Sequence, residues 1–389
     1  MTRAIILGCQ HGGLAVVRSL VPRGIDVLVL TNRPGDAGLA SRHVGEWRLC
    51  PDPADEDALI QALLDCAPAW SGALVVPTTD HFAVVVSKHA ERLEPHFQLG
   101  VAPWEHARIF LEKDSTYRLA TDVGVAHPRI LAPTSMSELE SELARLELPA
   151  MIKPVHSHRF TADFGTKLLI CDTAEQLRSD FQRVSDAAHE VVISEIIPGS
   201  DYLTLETCQV YIDESGELTG LFCCAKLRQT PPMYGVIRVG VSIEAHADLV
   251  EPTLALLRAI DYRGYASAEF KRDPRDQTLK LIEVNIRPLR MAQFSIACGV
   301  DFPYLTFADK VLGERHEVGS YEVGTYYIDV LSDLIDMVRF ADDRNARRFL
   351  RPYLASRKTE PLITLRDPKP FFREAARRLR MTTRKASGI

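Results

Sequence analysis

Three oxygen-bearing side chains, Glu269, Glu283 and Asn285, fall at spacings that suit a hard divalent cation. The chain reads Ala-Ser-Ala-Glu269-Phe-Lys-Arg, then Asp273-Pro-Arg-Asp-Gln-Thr, then Leu-Lys-Leu-Ile-Glu283-Val-Asn285. The flanking runs, Ala266–Arg272 and Leu279–Asn285, read as strands. Alternation puts Glu283 and Asn285 on one face, with Ile282 and Val284 on the other. The segment between them is turn-rich, and folding about Asp276 brings Glu269 opposite Glu283. Two carboxylates facing across a strand pair repel each other. A Mg²⁺ ion held with nucleotide phosphates removes that penalty. The plain alternative is a solvated hairpin whose charges are incidental.

The elements that would position these ligands lie upstream, in a telling order. Leu111-Glu112-Lys113-Asp114 opens a helix that exits through Gly124 to Pro128. A strand ends in Lys153-Pro154, and Val191–Asp201 carries Ser194-Glu195-Ile196-Ile197 before Pro198 and Gly199. Together with Glu269 and Glu283-Val-Asn285-Ile-Arg287, this order resembles the ATP-grasp ligase superfamily over roughly residues 1–315. Within it, the run from Glu283 through Arg287 and Arg290 to Gly299, and the aromatic and basic loop Phe160–Lys167, are similar to the D-aspartate ligase-like carboxylate–amine ligases. Two departures stand out. Ile286 replaces the proline usual between Asn285 and Arg287, and Ser267 stands where D-alanine–D-alanine-type ligases carry an arginine.

The resemblance implies an α/β fold of α+β ATP-grasp type: a Rossmann-like domain, a two-lobed ATP-grasp domain and a helical C-terminal tail. It implies an ATP-dependent ligase, with one or two Mg²⁺ ions (Mn²⁺ as a substitute) on Glu269, Glu283 and Asn285 bridging phosphate oxygens. The small-molecule substrates would be a carboxylate and an amine, joined as an amide through an acyl phosphate. Lys113 and Lys153 suit phosphate oxygens as point charges; buried salt bridges are the alternative. Glu195 and Ile197 mark the adenine hinge by position, and Asp201 would accept ribose hydroxyls, with Tyr202 at the neighbouring spacing. Lys226 and Arg228 are candidate phosphate clamps. Arg287 and Arg290, with Arg238 as a further candidate, would stabilise the acyl phosphate or anchor a substrate carboxylate, and the substrate expected is a small polar amino acid or similar metabolite. For Arg290, pairing with an acidic neighbour in the core is the alternative.

Composition narrows the classes. The chain has 389 residues, 46% hydrophobic and 25% charged, enough for two or three cored domains. It has no long apolar run and no basic-then-apolar leader, so a cytoplasmic protein is expected. Eight scattered cysteines without a Cys-x-x-Cys predict reduced, buried thiols rather than zinc or a disulfide scaffold. A net charge of −6 disfavours nucleic acid as a partner.

The expected units are 1–110, Rossmann-like; 111–193, the first ATP-grasp lobe; 194–318, the second lobe with the metal strands; and 319–389, a helical basic extension. In the first unit, strands at Arg3–Leu7 and Ile25–Leu30 flank the loop Gly8–Gly13 and a helix from Leu14. That loop lacks Gly-x-Gly-x-x-Gly, and Thr31-Asn32-Arg33 offers no acid to a ribose, so a dinucleotide site is disfavoured. Asp80, just past a strand end, would face the crevice or cap a helix. His156 and His158 lack a third ligand at metal-binding spacing. The C-terminal helix carries Phe371, Phe372, Ala375, Ala376 and Leu379 as one apolar face among arginines. Docking on the protein's own core is expected over an anionic membrane surface. Three other functions stay open: ATP-grasp carboxylation with bicarbonate, a nicotinamide oxidoreductase, and a nucleotide-binding regulator without turnover.

Overall fold

In a computed structural model, the described residues are 2–154, 160, 163–166, 168–200, 202–231, 235–317, 319–339 and 346–386. The side chains of Lys113, Val338, Arg339, 346–349 and 381–386 are excepted. They form three sheets. The first is wholly parallel, in the order β3-β2-β1-β4-β5, with β1 (Arg3–Leu7), β2 (Asp26–Thr31), β3 (Glu46–Leu49), β4 (Leu74–Pro77) and β5 (Gln98–Leu99). Ala4, Ile5, Ile6 and Leu7 are fully buried, as expected for a parallel strand covered on both faces.

Helix α1 begins at His11 (His11–Leu20), earlier than the expected Leu14, because two glycines let its first turn pack tightly. A Cβ on Gly13 would lie 2.1 Å from the Gly8 carbonyl oxygen. One on Gly12 would lie 3.0 Å from the carbonyls of Pro288 and Leu289. The glycines of this loop therefore serve close backbone packing against the segment after the expected metal strands. Helix α2 (Asp80–Lys88) follows β4.

The second sheet, β6 (Ile130–Leu131), β7 (Ala150–Pro154), β8 (Leu169–Cys171) and β9 (Val191–Glu195), is antiparallel in the order β6-β9-β7-β8. Helix α3 (Lys113–Asp122) precedes it and ends at Gly124, whose φ of +72° closes the last turn. Helix α4 (Ala174–Asp186) buries Leu177, Phe181 and Val184 against this sheet. Phe160 and Phe164 of the expected aromatic loop pack into that core beside His189. His156, His158 and Lys167 lie outside the described residues.

The third sheet runs β14-β13-β10-β11-β12-β15-β16, with β10 (Leu205–Ile212), β11 (Leu218–Thr230), β12 (Val236–Ser242), β13 (Gly264–Arg272), β14 (Leu279–Asn285), β15 (Tyr326–Ile328) and β16 (Lys358–Thr359). On β13, Ala266, Ala268 and Phe270 join the large core shared with α5 (Ala247–Arg258). The alternate residues Ser267, Glu269 and Lys271 face the other way. Together with Lys226 and Gln229 of β11 they form a polar face, and all but Glu269 are under 9% exposed. Buried polar groups on this scale mark a site rather than a core.

The tail is not wholly helical. β15 and β16 extend the third sheet, followed or flanked by α6 (Val330–Arg339), α7 (Ala346–Leu354) and α8 (Lys369–Ala386). Helix α8 docks beside α1 and the first sheet, with Phe371 packed against Leu14, Ala37 and Leu362. Its apolar face differs from the expected one. Glu374 is buried, whereas Phe372 and Leu379 are 62% and 68% exposed, because the ion pairs of Glu374 with Arg377 and Arg378 fix the inward side. Among the described residues no helix is long and apolar enough to cross a membrane. All eight cysteines are buried free thiols, and Cys208 lies directly across from Cys223 in the β10–β11 pair.

Candidate active site

The pairing of β13 with β14 sets Glu269 directly opposite Glu283, and Ser267 opposite Asn285. After Glu269 the register slips, so that Phe270 pairs with Leu281 and Ile282 is left as a bulge. The bulge turns Ile282 into the same cavity that Glu283 lines, correcting the expectation that Ile282 faces away. Tyr117 of α3 donates from its hydroxyl to the Ile282 carbonyl at 2.6 Å and holds the bulge in place.

The carboxylate repulsion expected here is met by Lys226, whose Nζ lies 2.7 Å from Glu269. Lys226, expected as a phosphate clamp, thus has a carboxylate partner. Asn285 donates from Nδ2 to Glu283 at 3.0 Å. For a cation to sit here, that carboxamide must turn its oxygen inward. No three His, Cys, Asp or Glu side chains among the described residues cluster closely enough to hold a metal ion. Two carboxylates and one carboxamide leave a shell that phosphate oxygens and water would have to complete.

Two cavities meet at this pair. One, about 280 Å³, lies between the second and third sheets and is lined by Lys153, Ile197, Lys226, Lys271 and Ile282 among others. The second, about 380 Å³, lies between the first and third sheets and is lined by His11, Asp80, Ser267, Asn285, Arg287 and Arg290 among others. Both include Lys226, Gly235, Glu269 and Glu283 in their walls. Two buried polar atoms without a hydrogen-bond partner, Gln229 Nε2 in the first cavity and Ser267 Oγ in the second, are suited to meet a polar ligand.

In the lysine-lined cavity, Lys153 stands near the end of β7 as expected. The side chain of Lys113 and the whole of Asp201 lie outside the described residues. Tyr202 packs against Leu227, Val239 and Ile328. Glu195 lines the cavity, but its carboxylate is bound by the Arg129 amide at 3.0 Å and by Arg275, which also holds Asp273 and Glu147. The side chain of Glu195 thus ties the end of β9 to the β13–β14 turn. Lys271 was missed, although it lies two residues beyond Glu269 on the same strand face; that spacing was the available signal.

In the arginine-lined cavity, Arg287 bonds Asp80 through Nε at 2.6 Å and Nη2 at 2.9 Å. Burial works to lower the Arg287 pKa, but Asp80 outweighs it and raises the value overall. Asp80 is not the helix cap. Thr79 caps α2, leaving the Asp80 carboxylate to Arg287. Arg290 bonds Asp329 through Nη2 at 2.6 Å and Nε at 3.2 Å. Arg238 and Arg228 are not brought to either cavity wall; they pair with Asp336 and Asp333 of α6. The β11–β12 register shifts on either side of Arg228, which turns it off the face shared by Lys226 and Gln229, whereas Arg238 simply alternates with Ile237 of the cavity wall.

His11 is a second residue that sequence reasoning missed. It is 5% exposed, and its Nε2 has no hydrogen-bond partner and lies 3.9 Å from Asp329. Burial, then the Arg290 charge, pull its pKa down to about 3 against the pull of Asp329, so the ring is neutral at pH 7. Burial would raise the Asp329 pKa, but Arg290 and His11 hold it at about 2.

No family model matches the chain. It is similar to a D-aspartate ligase of Enterococcus faecium, with 24% identity over 62% of this chain and 59% of that protein. It is also similar to a D-alanine–D-alanine ligase of Ectopseudomonas mendocina, with 27% identity over 51% of this chain and 64% of that protein. The chain thus spans less than two thirds of the length of these relatives. Among solved structures, an N5-carboxyaminoimidazole synthetase from Staphylococcus aureus complexed with ADP superposes with a TM-score of 0.67 at 14% identity. That match covers 87% of this chain and 84% of the other. These likenesses bear out the ATP-grasp resemblance and give the chain the ATP-grasp fold.

Proposed function

We propose that this chain is an ATP- and Mg²⁺-dependent ligase that joins a carboxylate to an amine. The observation that carries this reading is the Glu269–Glu283 pair standing in the wall common to both cavities. A phosphoryl group passing from one site to the other needs its negative charge neutralised on the way, and two carboxylates at the border could hold the divalent cation that would do so.

The lysine-lined cavity would take the nucleotide. Lys153, Lys226 and Lys271 offer point charges suited to phosphate oxygens. The amides of Glu195 and Ile196 are already bonded to the Arg129 and Pro149 carbonyls. An amide donor to the adenine edge would therefore come from Ile197 or beyond. Glu269, Glu283 and Asn285 would hold the metal ion once Lys226 and the Asn285 carboxamide turn. Bound there, ATP would supply the phosphoryl group that converts the carboxylate into an acyl phosphate, with ADP released, and Mg²⁺ would supply charge neutralisation.

The arginine-lined cavity would take the carboxylate and the amine. Arg287 and Arg290 each have one edge fixed by an aspartate, so the other can meet the developing charge or a free carboxylate. The attacking amine forms the amide bond, loses a proton and displaces phosphate. A substrate of the size and polarity of an amino acid suits a cavity of about 380 Å³.

The test is release of ADP and phosphate with pooled carboxylic acids, with hydroxylamine added to trap the acyl phosphate as a hydroxamate. ADP that appears only with an acid, together with hydroxamate, is the expected result. AMP and pyrophosphate would mean adenylation and would end this reading.

A further inference from the structure

Arg290 is held from outside the expected ATP-grasp segments. Its Nε and Nη2 both reach one oxygen of Asp329, which stands between β15 and α6 in the C-terminal segment. That carboxylate is fully buried, and its other oxygen accepts the Ser332 amide at 3.2 Å, capping α6. Ser332 Oγ lies 3.4 Å from Arg290 and accepts from Arg378 of α8 at 2.9 Å. The same segment is fastened to α1. Arg18 bonds Asp367 at 2.9 Å and the carbonyls of Pro361 and Leu362 at 2.7 and 2.9 Å. Arg290 is thus clasped along one edge, while the guanidinium still lines the cavity and is 27% exposed.

We propose that Asp329 is the positioning residue of the arginine-lined cavity. It holds one edge of Arg290 so that the other reads a carboxylate on the substrate, and it makes the C-terminal segment part of the substrate site. The inference rests on the ligase reading given above. A planar fork needs a fixed plane to be selective, and a carboxylate on one edge supplies it. The neutral His11 beside Asp329 adds a wall from the first domain without competing for that carboxylate as a second full charge.

The segment carries its own control. Asp333, one turn further along α6, binds Arg228 through two hydrogen bonds of 2.8 and 2.7 Å and accepts from the Tyr353 hydroxyl. This buried pair has the same chemistry but lines neither cavity. The experiment compares Asp329→Asn with Asp333→Asn, using the full chain and whichever acid drives ADP release in the unmodified protein. Asn at 329 keeps a capping oxygen for the Ser332 amide but turns its NH2 toward Arg290, so the clasp loses both its charge and its acceptor while the cap survives. Asp329→Asn should raise the KM for the acid about tenfold or more and leave that for ATP within about twofold. Asp333→Asn should lower the melting temperature with little change in either constant.

Equal loss toward acid and ATP, no change in either, or the same profile in both variants would refute the positioning role. Should Asp329→Asn fail to fold, Ser332→Ala decides. It should raise the acid KM about two- to fivefold at constant ATP KM, and an unchanged acid KM would refute the proposal. If the unmodified protein releases no ADP with any acid, the ligase reading falls first and this inference falls with it.

Discussion

The two cavities that meet at Glu269 and Glu283 present positive charge in different ways. On one side stand lysines, each a compact charge on a flexible stem. On the other stand Arg287 and Arg290, planar forks clamped by Asp80 and Asp329. A lysine can follow an oxygen that moves; a clamped arginine fixes the orientation of whatever it binds. The lysine side therefore suits a group whose charge shifts during reaction, and the arginine side suits one that must be held still. The sources of these walls also differ. Arg287 and Asp80 are 207 residues apart in the chain, whereas Lys271 is a strand neighbour of Glu269.

The sharpest break of this division would come at the shared border. Glu283→Gln should cut turnover by about 10²-fold or more, since a charge used by both sites is removed. Melting should barely change, because Glu283 is exposed. Mg²⁺-dependent turnover near the unmodified level would show that the border does not do the chemistry.

A smaller, one-sided effect is expected on either flank. Lys153→Ala should weaken ATP binding by about tenfold, measured by calorimetry, with the acid KM little altered. Gly12→Ala should do the reverse. Its new methyl would press on the Pro288 and Leu289 carbonyls beside Arg290, raising the acid KM while ATP binding holds. If Gly12→Ala weakened ATP instead, the two cavities would not be separate sites.

Asp80→Asn removes the charge from the Arg287 clamp. Because Asp80 is 54% exposed at its side chain, we expect only about a three- to fivefold rise in the acid KM. An effect confined to ATP would assign Arg287 to the nucleotide.

The smallest effect concerns pH and the C-terminal segment. Burial raises the Glu360 pKa from 4.5 to about 7, against the amides of Ile363 and Leu362. Between those values the folded state binds more protons than the unfolded one, so stability falls as pH rises through that window. Glu360→Gln should flatten the fall in melting temperature between pH 4.5 and 7. His11 acts in the opposite sense. Its lowered pKa means the unfolded state binds the extra proton, so stability falls as pH drops from 6.5 toward 3. A melting curve insensitive to Glu360→Gln would show that its carboxyl does not titrate across this range.

Much of the lysine side was legible in the sequence because it is written in short contiguous stretches. Strand alternation and a turn near Asp276 were enough to set Glu269 against Glu283. The same rule erred at Ile282, because a bulge depends on how β14 meets Tyr117 and not on its own pattern. The arginine side was only half legible. Arg287 and Arg290 could be picked out, but not Asp329, His11 or the clasping of Arg228 and Arg238 by α6. Those pairings depend on where distant segments dock, and no local periodicity encodes them. The two-strand extension of the third sheet by the tail was missed for a similar reason. Strands of two or three residues carry almost no alternation to read.

The buried cysteines give the molecule an internal clock. Thiol reagents attack the thiolate, and burial pushes Cys50 and Cys298 up to about 11 and Cys171 to about 12. The Cys223 thiol is drawn down instead by its hydrogen bond with Cys208, but it is buried like the other seven, so in the closed protein alkylation must wait for local opening. Cys9, Cys50 and Cys66 would time the first sheet and its helices, Cys171 the second sheet, and Cys208, Cys223, Cys224 and Cys298 the third. The order in which these masses shift, with and without nucleotide, would report which of the three layers yields first.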